Sequence, residues 1–187
     1  IPVTAHGVKL LSMGLLINES DPVAVRGPLA TRYVQQFLRN VAWGDVDFLI
    51  LDLPPGTGDI QLTIVQTAEL DGVVVVTTPQ EVALIDARKA IGLFERVETP
   101  ILGIIENMSY FQCPSDGKIY HIFGEGGGER EAAKLGVPLL GKIPLDISTR
   151  FGGDEGRPVA LEDPGQNPVS AAFRQVAEQC ARVVLDR

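Results

Sequence analysis

The stretch Val46-Asp47-Phe48-Leu49-Ile50-Leu51-Asp52-Leu53-Pro54-Pro55-Gly56-Thr57-Gly58-Asp59 restricts the fold of this chain more than any other. Six of the eight residues from Val46 to Leu53 are apolar, and the run stops at Pro54-Pro55-Gly56. That pattern predicts a strand buried on both faces of a parallel sheet. Asp52 breaks its carboxyl end. Burying a carboxylate is costly without a cation or donors, and α/β sheets bind ligands just outside the carboxyl ends of their strands. Asp52 is therefore a candidate for holding Mg²⁺ through water beside a nucleotide phosphate. Taken alone, the stretch is equally compatible with a hydrogen-bonded Asp at the end of a buried strand. The turn after it supplies backbone N–H groups and flexible glycines ahead of a helix N-terminus, parts from which a phosphate sensor can be built.

The flanking pattern extends this picture. Val8 to Ile17 is a short apolar run, most simply a strand and the loop leaving it. From Gly27-Pro28, the spacing of Leu29, Tyr33, Phe37, Leu38 and Val41 predicts an amphipathic helix, with Arg26 just before it. Ile60 to Leu70 suits a second helix, and Val73 to Thr78 a second fully buried strand, which would complete a βαβ unit with the first. A helix over about 81–96, with Leu84, Ile85, Ile91 and Phe94 inward, leads to a third strand, Ile101 to Ile105. A short helix from Glu129 to Leu135 precedes a fourth strand, Val137 to Ile143. The alternation is that of a three-layer α/β sandwich with a mostly parallel sheet.

Several strand ends carry polar groups. Asn107 follows the third strand, where its amide can pair a donor and an acceptor with an adenine edge; Asn is also a common turn former. Pro144-Leu145-Asp146 follows the fourth strand, so Asp52, Asn107 and Asp146 would share one rim of a parallel sheet. Tyr110 to Gly128 is a long polar insertion containing Cys113, Asp116, His121 and the run Gly124-Glu125-Gly126-Gly127-Gly128. Cys113 is a candidate thiolate metal ligand, but metal sites usually draw on several such residues. The glycine run can cradle an anion, although Glu125 counts against phosphate. Phe151 to Pro164 is a Gly/Pro/acid loop, after which Asn167-Pro168 caps a last helix with Val169, Phe173, Val176, Cys180 and Val184 inward. Cys180 belongs to the core.

A length of 187 residues with 45% apolar and 21% charged residues fits one soluble domain. A formal charge of -8 argues against broad nucleic-acid or anionic-membrane binding. Two cysteines do not make a disulfide framework, and with no secretory signal a reducing cytoplasm is expected.

Arg26-Gly27-Pro28, LDLPPGTGD (51–59), ENMSYF (106–111), IFG (122–124) with its following glycines, and GKIPLD (141–146) together resemble the Mrp (ApbC-like) branch of the deviant P-loop ATPases, relatives of MinD and ParA. The resemblance runs over nearly the whole chain. It implies a homodimeric, cytoplasmic ATPase acting as an iron–sulfur cluster carrier or assembly factor, working with cluster assembly or recipient proteins; the acidic charge balance separately argues for neither nucleic acid nor membrane as a partner. By the same resemblance, Asp52 corresponds to the Walker B Asp that positions Mg²⁺, Gly56 to the switch II glycine near the γ-phosphate of ATP, and Asn107 to an adenine-reading residue. Pro144 and Asp146 correspond to the loop over the base.

Two departures matter. The family's Lys-Gly-Gly-x-Gly-Lys-Ser/Thr P-loop is not found, and the chain starts Ile1-Pro2 without Met. Residues 1–187 are therefore expected to be the C-terminal part of a single such domain, inactive as an ATPase alone, with an exposed apolar face where a central strand is missing. Many relatives carry Cys-x-x-Cys where this chain has Cys113 and Asp116, so a dimer would offer an iron–sulfur cluster only two Cys113 thiolates. The rival expectations are a MinD- or ParA-like positioning ATPase and a non-enzymatic partner-binding module.

Overall fold

The computed structural model describes residues 1–15, 27–54, 56 and 58–186. Arg26 lies outside the described residues. The chain divides into two compact units, Ile1–Leu70 and Asp71–Arg187.

In the first unit, β1 (Val3–Ala5) and β2 (Val8–Leu10) form an antiparallel hairpin with Val3 opposite Leu10. Its two-residue turn, His6-Gly7, takes positive φ at both positions (51° and 80°), matching the twist of the flanking strands. In helix α1 (Gly27–Arg39) Tyr33, Phe37 and Leu38 of the expected stripe are half-buried, the side chain of Leu29 lies outside the described residues, and Val41 falls beyond the helix; Trp43 folds back so that its Nε1–H donates to the Phe37 carbonyl at 2.9 Å. Helix α2 (Asp59–Thr67) packs against α1.

Val46 to Leu53 is not a strand here. Val46, Phe48 and Leu49 are exposed, and Ile50 is 88% exposed. Consequently the first predicted βαβ unit is not formed either. A strand buried on both faces exists only when neighbours supply ladder partners on its edges and helices on its faces. Among the described residues of this unit the only strand pairing is the β1–β2 hairpin. Burying a large apolar side chain gains roughly 2 kcal/mol, a gain this run does not realise by itself.

The second unit is the α/β sandwich. β3 (Val73–Thr77), β4 (Ile101–Glu106) and β7 (Leu139–Lys142) form a parallel sheet in the order β3-β4-β7. Alternation along the strands separates two cores. Val75 and Ile104 face Ala87 and Ile91 of α3 (Glu81–Arg96) and Ala132 of α4 (Gly127–Leu135). Ile105 and Leu140 face the other way, with Ile143, onto Val176 of α6 (Pro168–Leu185), and Val74, Phe173, Cys180 and Val183 complete that layer.

Two expectations within this unit need correcting. Ile85 is exposed, and Ala87 takes its place because the buried stripe of α3 runs Leu84, Ala87, Ile91, Phe94. Strand β3 is not fully buried: Val76 is 59% exposed on this edge strand, where the apolar layer against α6 reaches Val74.

Two further elements have weak sequence signals. The polar insertion contains a hairpin of β5 (Phe111–Gln112) and β6 (Ile119–Tyr120), with Phe111 opposite Tyr120. Helix α5 (Ile147–Asp154) begins before the stretch expected to be a loop and includes its first residues. The last helix is capped as expected, the Asn167 side-chain oxygen accepting from the N–H groups of Val169 and Ser170 at 2.8 and 3.3 Å. Among the described residues no helix is long and apolar enough to cross a membrane.

Candidate functional site

The carboxyl ends of the second unit's strands are laced together by backbone hydrogen bonds. The Asn107 N–H donates to the Thr77 carbonyl (2.7 Å), joining the end of β4 to the end of β3. Toward β7, the Ile143 N–H donates to the Glu106 carbonyl (2.9 Å) and the Ser109 N–H to the Ile143 carbonyl (3.0 Å). The lacing continues past the sheet, with the Leu145 N–H donating to the Tyr110 carbonyl (2.7 Å) and Phe111 bridging in parallel to Leu145. Because β4 and β7 are parallel, Asn107, Pro144 and Asp146 lie along one rim, as the strand-end pattern predicts.

Asn107 sits in a tight turn. Its side-chain oxygen accepts the N–H of Met108 at 2.9 Å, and Met108 takes the left-handed region at φ 52°. Such a conformation costs a non-glycine residue about 1 kcal/mol or more and persists only where neighbours over-determine it. The determinant beneath it is Glu106, which is 0% exposed. One of its carboxyl oxygens accepts from the Ser109 hydroxyl at 2.5 Å, and the other from the Gly128 N–H at 2.7 Å.

That second bond explains the glycine run. A Cβ on Gly127 would come within 2.5 Å of the Pro79 carbonyl oxygen, and one on Gly128 within 3.1 Å of Glu106 Cβ. The glycines therefore let the start of α4 approach the strand ends closely. The group received by the Gly128 N–H is the protein's own Glu106 carboxyl.

Asp146 is the N-cap of α5. One of its oxygens accepts from the Thr149 N–H (2.7 Å), the Thr149 hydroxyl (3.0 Å) and the Ser148 hydroxyl. Partial burial opposes its ionisation, but the Ser148 and Thr149 donors outweigh it and hold Asp146 below the usual carboxylate range. Through that one oxygen Asp146 anchors the start of α5.

Cys113 lies in the turn of the β5–β6 hairpin, its Sγ 3.0 Å from the Ser115 hydroxyl. The Ser115 hydroxyl, followed by the backbone N–H groups of Ser115 and Asp116, lowers its thiol below the ordinary value. Asp116 accepts the Lys118 N–H at 3.1 Å and pairs with the Lys118 ammonium at 3.4 Å; His121 pairs with Glu125 at 3.6 Å. Among the described residues no three His, Cys, Asp or Glu side chains are grouped to hold a metal ion. Within one chain, Cys113, Asp116 and His121 thus do not form a three-residue ligand set, although the Asp116 carboxylate lies within hydrogen-bonding reach of the Cys113 thiol. Cys113 shares a cavity of about 300 Å³ with Tyr110, Gln112, Pro144, Asp146 and Pro168.

Asp52 and Gly56 belong to the first unit. Asp52 is exposed in a segment without regular secondary structure. Gly56 has φ 103°, which favours glycine, and its carbonyl accepts from the Gln61 amide at 2.9 Å. The same amide donates to the Pro54 carbonyl (2.8 Å), while the Gln61 side-chain oxygen accepts the Gly58 N–H (3.0 Å). Gln61, 3% exposed, thereby fastens the turn to the first helical turn of α2. Its position three residues after Gly58 is the one sequence signal that points to it, the spacing at which a Gln side chain reaches back to the N-cap N–H; glycine, without a side chain, returns no bond.

The family described as NUBPL iron-transfer P-loop NTPase, of the ParA type, matches residues 1–181. An iron-sulfur cluster carrier protein of Pyrococcus furiosus is 48% identical over 172 residues, 92% of this chain and 58% of that protein. The Arabidopsis thaliana iron-sulfur protein required for NADH dehydrogenase, mitochondrial, is 47% identical over 182 residues, 97% of this chain and 58% of that one. Among solved structures, the nucleotide-binding protein of Archaeoglobus fulgidus in complex with ADP superposes with a TM-score of 0.70 at 39% identity, covering 83% of this chain and 60% of that chain. The cell division ATPase MinD of Pyrococcus furiosus superposes at 0.60 with 24% identity and shares the fold. The chain spans 50% to 63% of the length of such relatives. It belongs to the NUBPL iron-transfer P-loop NTPase family.

Proposed function

We propose that the full-length protein is an ATP-dependent iron–sulfur cluster carrier or assembly factor. The observation that carries this reading is 47–48% identity, over 92% to 97% of the chain, to relatives named as iron–sulfur proteins. In this reading Asp52 positions Mg²⁺, Gly56 lies near the γ-phosphate, Asn107 reads adenine, and the Pro144–Asp146 loop covers the base. An exposed Asp52 carboxylate and a rim-mounted Asn107 carboxamide are chemically suited to those parts. When bound, Mg²⁺ supplies charge neutralisation for phosphoryl transfer to water.

The cluster is cargo, and Cys113 is the residue of this chain suited to hold it. In this reading the working form is a homodimer that exchanges its cargo with assembly or recipient proteins; its two Cys113 thiolates supply half of the four ligands a cluster takes, and Asp116, His121 or an external thiol supplies the rest. A reduced Cys113 calls for a reducing compartment such as the cytoplasm.

The test is anaerobic reconstitution of the full-length protein with iron and sulfide, followed by visible and Mössbauer spectroscopy beside C113A. The expected outcome is a stoichiometric cluster that C113A loses. A protein that holds no cluster, or a C113A variant that keeps it, would overturn the assignment of Cys113.

A further inference from the structure

Glu106 is completely buried, polar, and has no part in the function proposed above. Both of its carboxyl oxygens are engaged, by the Ser109 hydroxyl and the Gly128 N–H, so it bolts the start of α4 to the turn that follows β4. What that turn controls is the orientation of one amide. The Met108 N–H can only donate, so the atom of Asn107 facing it at 2.9 Å must be the side-chain oxygen. With the oxygen pinned, the carboxamide cannot flip. It keeps its NH₂ donors and one remaining lone pair of the oxygen for a ligand.

The Watson–Crick edge of adenine offers an acceptor, N1, beside a donor, the 6-amino group, which complements that arrangement. Hypoxanthine and guanine carry the reverse pair there, a donor N1–H beside the acceptor O6. A free Asn would flip its carboxamide to suit that reversed pair; against a pinned one, acceptor faces acceptor and donor faces donor.

We propose that Glu106 is a positioning residue for base selection: through Ser109 and Gly128 it holds the 106–109 turn in the form that fixes the Asn107 carboxamide, and so makes the site prefer adenine to 6-oxopurines. The left-handed Met108 is the local cost of this arrangement, and the backbone bonds of Asn107 to Thr77 and of Ser109 to Ile143 secure the turn at both ends. The inference rests on the reading of Asn107 as the base-reading residue.

The test measures dissociation constants of ADP and inosine diphosphate for the full-length protein and for N107A, S109A, E106Q and E106A, with thermal unfolding of each. The readout is the ratio of the two constants, which loss of stability alone does not move. S109A removes one arm of the bolt and leaves the other, so it provides a measurement even if E106A does not fold. The expected result is a preference for ADP that falls about tenfold in N107A and in E106A, the worth of one well-made hydrogen bond. S109A and E106Q should fall between these variants and the parent. If N107A lowers the ratio while S109A and E106Q keep it at the parent value, Glu106 is structural only and this inference fails while the role of Asn107 stands. If N107A itself leaves the ratio unchanged, the base-reading role of Asn107 fails and the inference with it.

Discussion

Arg88 on α3 grips both carboxyl oxygens of Glu131 on α4, its Nε and a terminal nitrogen donating at 2.9 and 2.6 Å. The pair is bidentate, and its carboxylate side is only 7% exposed. Lys134 adds a third donor to Glu131 at 2.8 Å, and Arg88 also reaches Glu81. Hydrogen bonding from Arg88, then from Lys134, pulls the Glu131 carboxyl from 4.5 down to about 2. The group is harder to protonate folded than unfolded, so its stabilisation is complete above about pH 4.5 and is lost as the pH falls toward 2. E131Q should therefore destabilise the second unit by about 2 kcal/mol at pH 7. Urea denaturation of parent and variant at pH 7 and again near pH 3 checks this, the difference shrinking at the lower pH.

The two cysteines should differ sharply toward an alkylating agent. Cys113 is held low by the Ser115 hydroxyl and neighbouring N–H groups, whereas burial against the sheet raises Cys180. Since the thiolate is the nucleophile, iodoacetamide at neutral pH should modify Cys113 first. S115A removes the largest of the lowering contacts and should slow that reaction roughly 3- to 10-fold. Peptide mass spectrometry over time follows both sites; equal rates at Cys113 and Cys180 would contradict the assignment.

What the sequence makes legible follows from how local each cause is. Val73–Val76 and Ile101–Ile105 are all-apolar runs flanking a helix of clear period, so β3, α3 and β4 can be read directly, and the rim positions of Asn107 and Pro144 follow from strand ends. Val46–Leu53 carries the same apolar signal, yet strand formation belongs to neighbours that a local pattern does not contain. Glu106 is hidden for the opposite reason. A charged residue closing an apolar strand looks like an exposed end, while the Gly128 N–H that satisfies it lies 22 residues away. The β5–β6 ladder is two residues long, too short for any period to show, and Gly152-Gly153 obscures the helical character of α5.

Asp52 offers a test of catalysis separate from cluster binding. D52A in the full-length protein should lower ATP turnover by at least ~100-fold, the scale of removing one preorganised electrostatic contact at a transition state. Asp52 is exposed, so unfolding temperature should change little. Steady-state phosphate release beside a thermal melt makes the comparison, and unchanged turnover would refute the Mg²⁺-positioning role.

Asp146 separates a capping role from a direct ligand role. Its carboxyl closes the first turn of α5 through Thr149 and Ser148, so D146A should cost α5 about 1 kcal/mol, whereas D146N, which also caps well, should retain most of the stability. Amide hydrogen exchange across residues 147–154 reports this directly: faster exchange in D146A and near-parent protection in D146N. The same variants bear on the cavity shared with Cys113, because Leu145 is bonded to Tyr110 and bridges to Phe111 at the base of the Cys113 hairpin. Loosening α5 in D146A should then raise the alkylation rate of Cys113, while D146N leaves it at the parent value. An unchanged rate in D146A, with exchange of α5 accelerated, would show that the hairpin holds its turn independently of the loop after β7.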